Sequence, residues 1–259
     1  MRYPGTFGIN AYLYCQAMRD ILRQSGVVIH EQSSVQEIGE GQVMANGYTV
    51  RADAVVLCLD RFLPEVGLLS KEVYHAQTFL AVSTPLIETQ IAAIFPEGTL
   101  MVWDTDLIYR YFRVTGDKRL LLGAASMLST YDRKERAVAP RILRKMRAWL
   151  GRTFPQVPVE LEYFWPALIG VSKDFLPLAA RDTADSTLCL VSGAAGLPWA
   201  AALGRYMAEK IQSNRSDFDV EFDPRRRFPV GHFVQNLIGT ERVRTVSRNR
   251  EVPSVNPVL

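Results

Sequence analysis

The sequence predicts an α/β (α+β) fold in two parts: a partial Rossmann-like sheet with helices, and an antiparallel-sheet domain. Three observations carry this. The chain opens with a capped helical pattern followed by apolar strand segments. From about Tyr74 the texture changes to short alternating segments separated by turn residues. From Leu188 it returns to one buried strand, a turn of very small residues and a helix.

In chain order, Asn10 reads as a helix cap, Leu13, Tyr14, Ala17, Ile21 and Leu22 recur at helical spacing, and Gly26 closes the helix. Residues 27–29 read as a short buried strand, and 47–50 and 54–59 as further strands. The last is apolar on both faces, as in a sheet covered on both sides. Residues 99–103, 107–114 and 119–122 read as antiparallel strands, broken by Asp104-Thr105-Asp106 and Gly116-Asp117. Alternation puts Leu107, Tyr109, Tyr111 and Arg113 on one face and Ile108, Arg110 and Phe112 on the other. Residues 140–150 form an amphipathic helix with a basic outer face. Strands follow at 159–165 and 188–191, and a helix at 197–211. The expected organisation assigns 1–72 and 176–215 to the helix-flanked sheet, 73–175 to the antiparallel domain and 216–259 to a basic C-terminal extension.

The 259 residues are 48% apolar and 22% charged, with 17 Gly and 14 Pro, which excludes disordered, collagenous and low-complexity classes. Net charge is +3, unevenly placed: from Pro224 onward seven Arg face two Glu, and the rest holds 23 basic and 25 acidic residues. Cys15, Cys58 and Cys189 form neither a metal cluster nor a disulfide framework and fit a reducing, cytoplasmic compartment. The first ten residues lack the apolar core of a signal peptide. The uncharged run 186–204 is interrupted by Gly193, Gly196 and Pro198, so it reads as strand, turn and helix, and no membrane partner is expected. The basic tail has only Phe228 and Phe233 as aromatics and no recognition fold, so no nucleic-acid partner is expected. His30, His75 and His232 lack ligand spacing, so no metal is expected. Gly39-Glu40-Gly41-Gln42-Val43-Met44 lies between strands and lacks the third glycine of a dinucleotide loop.

Two patterns can carry chemistry. In Ser192-Gly193-Ala194-Ala195-Gly196-Leu197-Pro198, small side chains let a flat ligand lie against the backbone, and the following helix start presents N–H groups and positive dipole. The same residues also suit a tight, close-packed strand–helix turn. Tyr109, Tyr111 and Arg113 on one strand face would bind a carboxylate or amine, the guanidinium as a fork and the phenols as directional hydroxyls. An amphipathic strand with half-buried tyrosines and a solvated Arg fits them equally. Asp174, before Leu176-Pro177, reads as a cap or turn aspartate.

In order along residues 4–212, these segments resemble the D-amino acid oxidase-like superfamily of FAD-dependent oxidoreductases, the glycine oxidase and gamma-glutamylputrescine oxidase type. The carriers are Gly8-Ile9-Asn10, Val28-Ile29 with Ser34-Val35-Gln36-Glu37-Ile38, Ala52-Asp53-Ala54-Val55-Val56-Leu57, Tyr111-Phe112-Arg113 with Arg119-Leu120-Leu121-Leu122-Gly123, Trp165 with Asp174-Phe175-Leu176-Pro177, and the 192–196 turn. The resemblance implies FAD as cofactor, with Val35 near adenosine and Gly193, Ala194, Ala195, Gly196 and Leu197 at the flavin ring. It implies an amine or amino-acid substrate held by Tyr109, Tyr111 and Arg113, with Trp165 as a pocket wall. Oxidation of the substrate C–N bond by hydride transfer requires no acid–base residue, so none is named. Two departures stand out. Cys58-Leu59-Asp60 replaces the family's Ala-Thr-Gly and brings a carboxylate. The GxGxxG unit that cradles the pyrophosphate has no counterpart here and would precede Met1. The chain is therefore expected to be the C-terminal part of such an enzyme, by truncation, as an expressed fragment or as one half of a split protein. Its expected partners are an N-terminal FAD-binding half or a second copy, and FAD is expected to be weakly held without the loop. The alternative is a non-enzymatic remnant or split-protein subunit acting through protein contact.

Overall fold

The computed structural model describes residues 7–39, 41–104, 110–125, 135–172, 174, 176–182, 185, 187–192, 196–213 and 217–227. The elements are α1 (Ala11–Gln24), β1 (Val35–Gly39), β2 (Gln42–Ala45), β3 (Tyr48–Arg51), β4 (Val55–Leu57), a 3-10 helix at Asp60–Val66, β5 (Val73–Pro85), α2 (Glu88–Ile94), β6 (Val102–Trp103), β7 (Arg110–Val114), β8 (Arg119–Ala125), α3 (Glu135–Thr153), β9 (Leu161–Ser172), β10 (Leu178–Arg181), β11 (Leu188–Ser192), α4 (Leu197–Ser213) and α5 (Asp219–Phe222). Two compact units result, one within Met1–Val73 and Ser172–Pro229, the other within Tyr74–Val171.

In the first unit, β1, β2 and β3 form an antiparallel meander, and a second sheet runs β10-β11-β4. β11 is central, antiparallel to β10 and parallel to β4. Its Cys189 and Leu190 are buried. Leu57, Leu63 and Leu190 make one core cluster, with Ile38 of β1 packed on it. Ala179, Cys189, Leu203, Tyr206, Met207 and Phe222 make another, beneath α4. Asn10 caps α1 as expected, its Oδ1 accepting from Leu13 N at 3.1 Å.

Residues 27–29, expected as a strand, form none. Gly26, at φ +86, closes α1, and Val27 N donates to Leu22 O at 3.0 Å while Gly26 N donates to Arg23 O. That Schellman closure consumes the N–H a ladder would need, and Val28 is exposed. β4, expected inside its sheet, is three residues long and lies at the sheet's edge, with Val56 exposed. Its apolar alternation reflects one buried face, through Leu57, and an open edge. The Gly39–Met44 stretch is part of the β1–β2 hairpin, with Gly39 ending β1 and Gln42, Val43 and Met44 in β2, not the strand–helix turn of a dinucleotide loop; a Cβ on Gly41, at φ +70, would meet Ala52 O at 3.0 Å.

The second unit is a five-stranded sheet, ordered β6-β7-β8-β5-β9. One face carries Phe79, Ala81, Leu120, Leu122 and Phe112, packed with Ile91 and Ile94 of α2 and Ile142, Met146 and Leu150 of α3. Phe112 is surrounded by rings: Phe95, Trp149 and Phe154 lie 5.7, 5.5 and 5.8 Å away, centroid to centroid. The 13-residue β5 and α2 were not read from the sequence. β5 shifts register between Val82 and Pro85, and buried Ser83 serves the ladder there: its Oγ accepts from Leu120 N at 2.9 Å and donates to Thr84 O at 2.6 Å. The strand expected at 99–103 is confined to Val102–Trp103.

Replacing Phe112 by Ala removes the ring at the centre of this cluster and should cost about 3–5 kcal/mol. Trp103→Ala, at a 54% exposed position, should change stability by less than about 1 kcal/mol. Urea denaturation of both variants checks the pair, and equal losses would contradict the packing described.

Candidate functional site

β11 drives the first candidate feature. This buried strand ends at Ser192, and Gly196, at φ +80, is the last residue before α4. A positive φ is a conformation that glycine adopts without the Cβ penalty. Gly196 O accepts from Ala200 N at 3.1 Å, so the helix ladder starts there. By helix geometry the N–H groups of Leu197 and Trp199 have no acceptor within α4, and Pro198 has none to satisfy. No acidic side chain lies in α4's first turn to neutralise its dipole. Gly193, Ala194 and Ala195 lie outside the described residues. Val35 stands at the start of β1 and is 48% exposed. Asp60, at φ +44, opens the 3-10 helix after β4.

The second feature is the face of the five-stranded sheet opposite its core. Phe112 points into the core, so its neighbours Tyr111 and Arg113 take the other side. Both are half-buried. Tyr111 sits opposite Gly123 of β8, and a Cβ on Gly123 would lie 1.9 Å from Tyr111 Cζ and 2.4 Å from its hydroxyl oxygen. The phenol therefore lies flat across β8, in a space that only glycine leaves. A lone glycine in a strand pattern signals such close approach, and this was the sequence signal available. Tyr109 lies outside the described residues. Trp165 is half-buried on β9, three strands from β7, or about 14 Å by strand spacing. Arg110 is on the core side, as alternation predicts, where Asp104 holds it: Oδ1 accepts its backbone N–H at 2.9 Å and Oδ2 its Nη1 at 2.8 Å. Its guanidinium lies 5.7 Å from the Trp149 ring centre.

Sequence reasoning missed the pairing of Asp174 with Arg226. Asp174 Oδ2 accepts from Arg226 Nε at 2.9 Å and Oδ1 from Nη2 at 2.7 Å. Asp174 Oδ1 also accepts from Leu176 N and Ser172 Oγ, both at 3.1 Å. Burial pushes the Asp174 carboxyl up, but the Arg226 fork and the Leu176 and Ser172 donors together bring it below its ordinary value. In the sequence Arg226 is one of three consecutive arginines, and nothing distinguishes it from Arg225 or Arg227. Among the described residues no group of His, Cys, Asp or Glu could hold a metal, and no helix is long and apolar enough to cross a membrane.

The model of the DAO family of FAD dependent oxidoreductases matches residues 1–210. The chain belongs to that family. Gamma-glutamylputrescine oxidoreductase of Escherichia coli is 26% identical over 232 residues, covering 83% of this chain and 51% of the relative. This chain thus spans about half the length of that relative. Among solved structures, L-proline dehydrogenase from P. horikoshii superposes with a TM-score of 0.66 at 17% identity, covering 82% of this chain and 58% of that one. Glycine oxidase from Geobacillus kaustophilus gives 0.56, also at 17% identity, covering 82% and 57%. These likenesses show the fold of the FAD dependent oxidoreductases.

Gly123→Ala should destabilise the protein by about 1–3 kcal/mol, because the added methyl displaces the Tyr111 ring. In a Tyr111→Ala background the same change should cost much less. Chemical denaturation of the four proteins of this double-mutant cycle measures the coupling. An equal cost in both backgrounds would show that the ring does not occupy that space.

Proposed function

We propose that this chain is the C-terminal part of an FAD-dependent oxidoreductase that oxidises the C–N bond of an amine or amino acid. The observation that carries the reading is the β11–Gly196–α4 junction in a member of this family. A buried strand there runs into a positive-φ glycine and a helix start without a first-turn acid. The described residues at this junction fit a flat, negatively charged group: no side chain projects from Gly196, and the helix end offers N–H donors. Flavin, when bound, would supply the hydride acceptor for oxidation at the substrate carbon next to nitrogen.

In this reading Gly193, Ala194, Ala195, Gly196 and Leu197 would hold the flavin ring, and the positive start of α4 would favour negative charge there. Val35 lies by the adenosine. On the open sheet face Arg113 grips a substrate carboxylate and Tyr111, with Tyr109, donates to it, while Trp165 forms a more distant wall. The names of the relatives support the substrate class: gamma-glutamylputrescine, proline and glycine are each an amine or amino acid. Three cysteines with no disulfide or metal spacing support a cytoplasmic location.

A specific observation also favours a polypeptide partner. α1 has no buried residue, and its Leu13, Ile21 and Met18 are exposed, as is the edge of β4. A 14-residue helix is marginal in water without packing. We infer that an FAD-binding half carrying the phosphate loop covers this surface, and that the chain alone self-associates through it. Acting through such contact without catalysis is the second reading.

Two measurements test this. The purified 259-residue chain should lose FAD on gel filtration, because its sequence has no GxGxxG cradle for the pyrophosphate; stoichiometric yellow protein would contradict it. In the completed enzyme Arg113→Lys keeps charge but loses the planar fork. It should lower kcat/KM for a carboxylate substrate by the equivalent of about 2–4 kcal/mol. Arg110 cannot serve as a silent control, given its bonds to Asp104, so exposed Arg141 takes that place. Unchanged kinetics at Arg113 would mean a substrate without a carboxylate at this position.

A further inference from the structure

We propose that Arg226 is a positioning residue for the β11–α4 junction. Its guanidinium has five N–H donors, and the structure gives five acceptors within one unit. Asp174 takes two, from Nε at 2.9 Å and Nη2 at 2.7 Å. Leu176 O takes one from Nη2 at 3.1 Å, and Pro177 O and Asp223 O take those of Nη1 at 3.0 and 3.4 Å. The side chain is only 8% exposed. A basic tail dissolved in water would show none of this.

The bonds matter because of where they end. Pro177 leads directly into β10, whose first residue, Leu178, is paired with Ser192, the last residue of β11. Arg226 therefore fixes the strand that fixes the end of β11. The same C-terminal segment also reaches the helix side of the junction. Phe222, four residues before Arg226, meets Trp199 in α4's first turn edge-on, with ring centroids 6.0 Å apart, and Tyr206, two turns further on, at 5.0 Å. Residues 222–226 thus brace both the strand and the helix that the junction joins. Lysine at 226 could offer at most three N–H bonds from a single nitrogen and could not span Asp174 and the two carbonyls of Leu176 and Pro177. The consequence for flavin rests on the function proposed above; the mechanical coupling does not.

Hydrogen exchange on the whole chain, without cofactor, tests the coupling. In Arg226→Lys the amides of the β11 ladder and of Ala200, which donates to Gly196 O, should exchange about tenfold faster or more, while those of β1–β3 and β7–β8 keep their rates. Arg225→Lys, at an exposed side chain, should change nothing at the junction. Asp174→Asn, which removes the charge from the fork, should reproduce the same regional pattern if Arg226→Lys proves too unstable. Faster exchange confined to residues 172–178 and 217–227, or global acceleration in both variants, would overturn the positioning role. A parallel exchange experiment on the wild-type chain with FAD at high concentration separates the two claims. Protection of Gly196 and Leu197 supports the flavin reading. Its absence alongside the regional acceleration refutes that reading and leaves Arg226 as a positioning residue.

Discussion

A β-strand can give its core only every second side chain, and the second unit follows from that constraint on β7. Phe112 is committed to the ring cluster with Phe95, Trp149 and Phe154, so Tyr111 and Arg113 have no choice of side. Gly123 then decides what Tyr111 does there. With no Cβ beneath it, the phenol lies across β8, and Arg113 stands two residues further along the same face of β7. Core packing and the proposed substrate contact use the two faces of one five-residue strand.

The first unit has a different organising element. β11 is the central strand of its sheet and delivers the chain to Gly196 and the start of α4. What holds that delivery in place comes from far along the chain. Asp174, Leu176 and Pro177 on one side and Trp199 on the other are all reached from residues 222–226. Asp219 adds a further tie to α4, accepting from Tyr206 Oη at 2.8 Å and from Lys210 Nζ. The buried phenol is pushed well above its ordinary pKa, first by burial and then by that carboxylate, so it stays protonated as a donor.

Much of this was legible in local pattern. Asn10 and Gly26 mark the two ends of α1, alternation along 110–113 assigns the faces of β7, and the apolar run before Ser192 marks β11. What was not legible depends on partners distant in sequence. Val27 to Ile29 are apolar enough for a strand, but Gly26 spends the Val27 N–H on closing α1. Residues 54–59 have the composition of a central strand, yet among the described residues β4 pairs on one side only. β5 carries Gln77 and Ser83 among its buried residues, which breaks the alternation by which strands are recognised. Arg226 sits in a run of three arginines whose charge suggests solvent; its burial follows from Phe222 anchoring the preceding turn, a fact of packing.

The central claim is that the face opposite Phe112 is the one that meets substrate. The most direct measurement is an experimental structure of the FAD-loaded protein with a carboxylate-bearing substrate analogue bound. The account predicts the analogue's carboxylate in the Arg113 fork, within hydrogen-bond reach of the Tyr111 hydroxyl, with Tyr111 still flat over Gly123. An analogue bound away from β7, with Arg113 making contacts only within the protein, would contradict it.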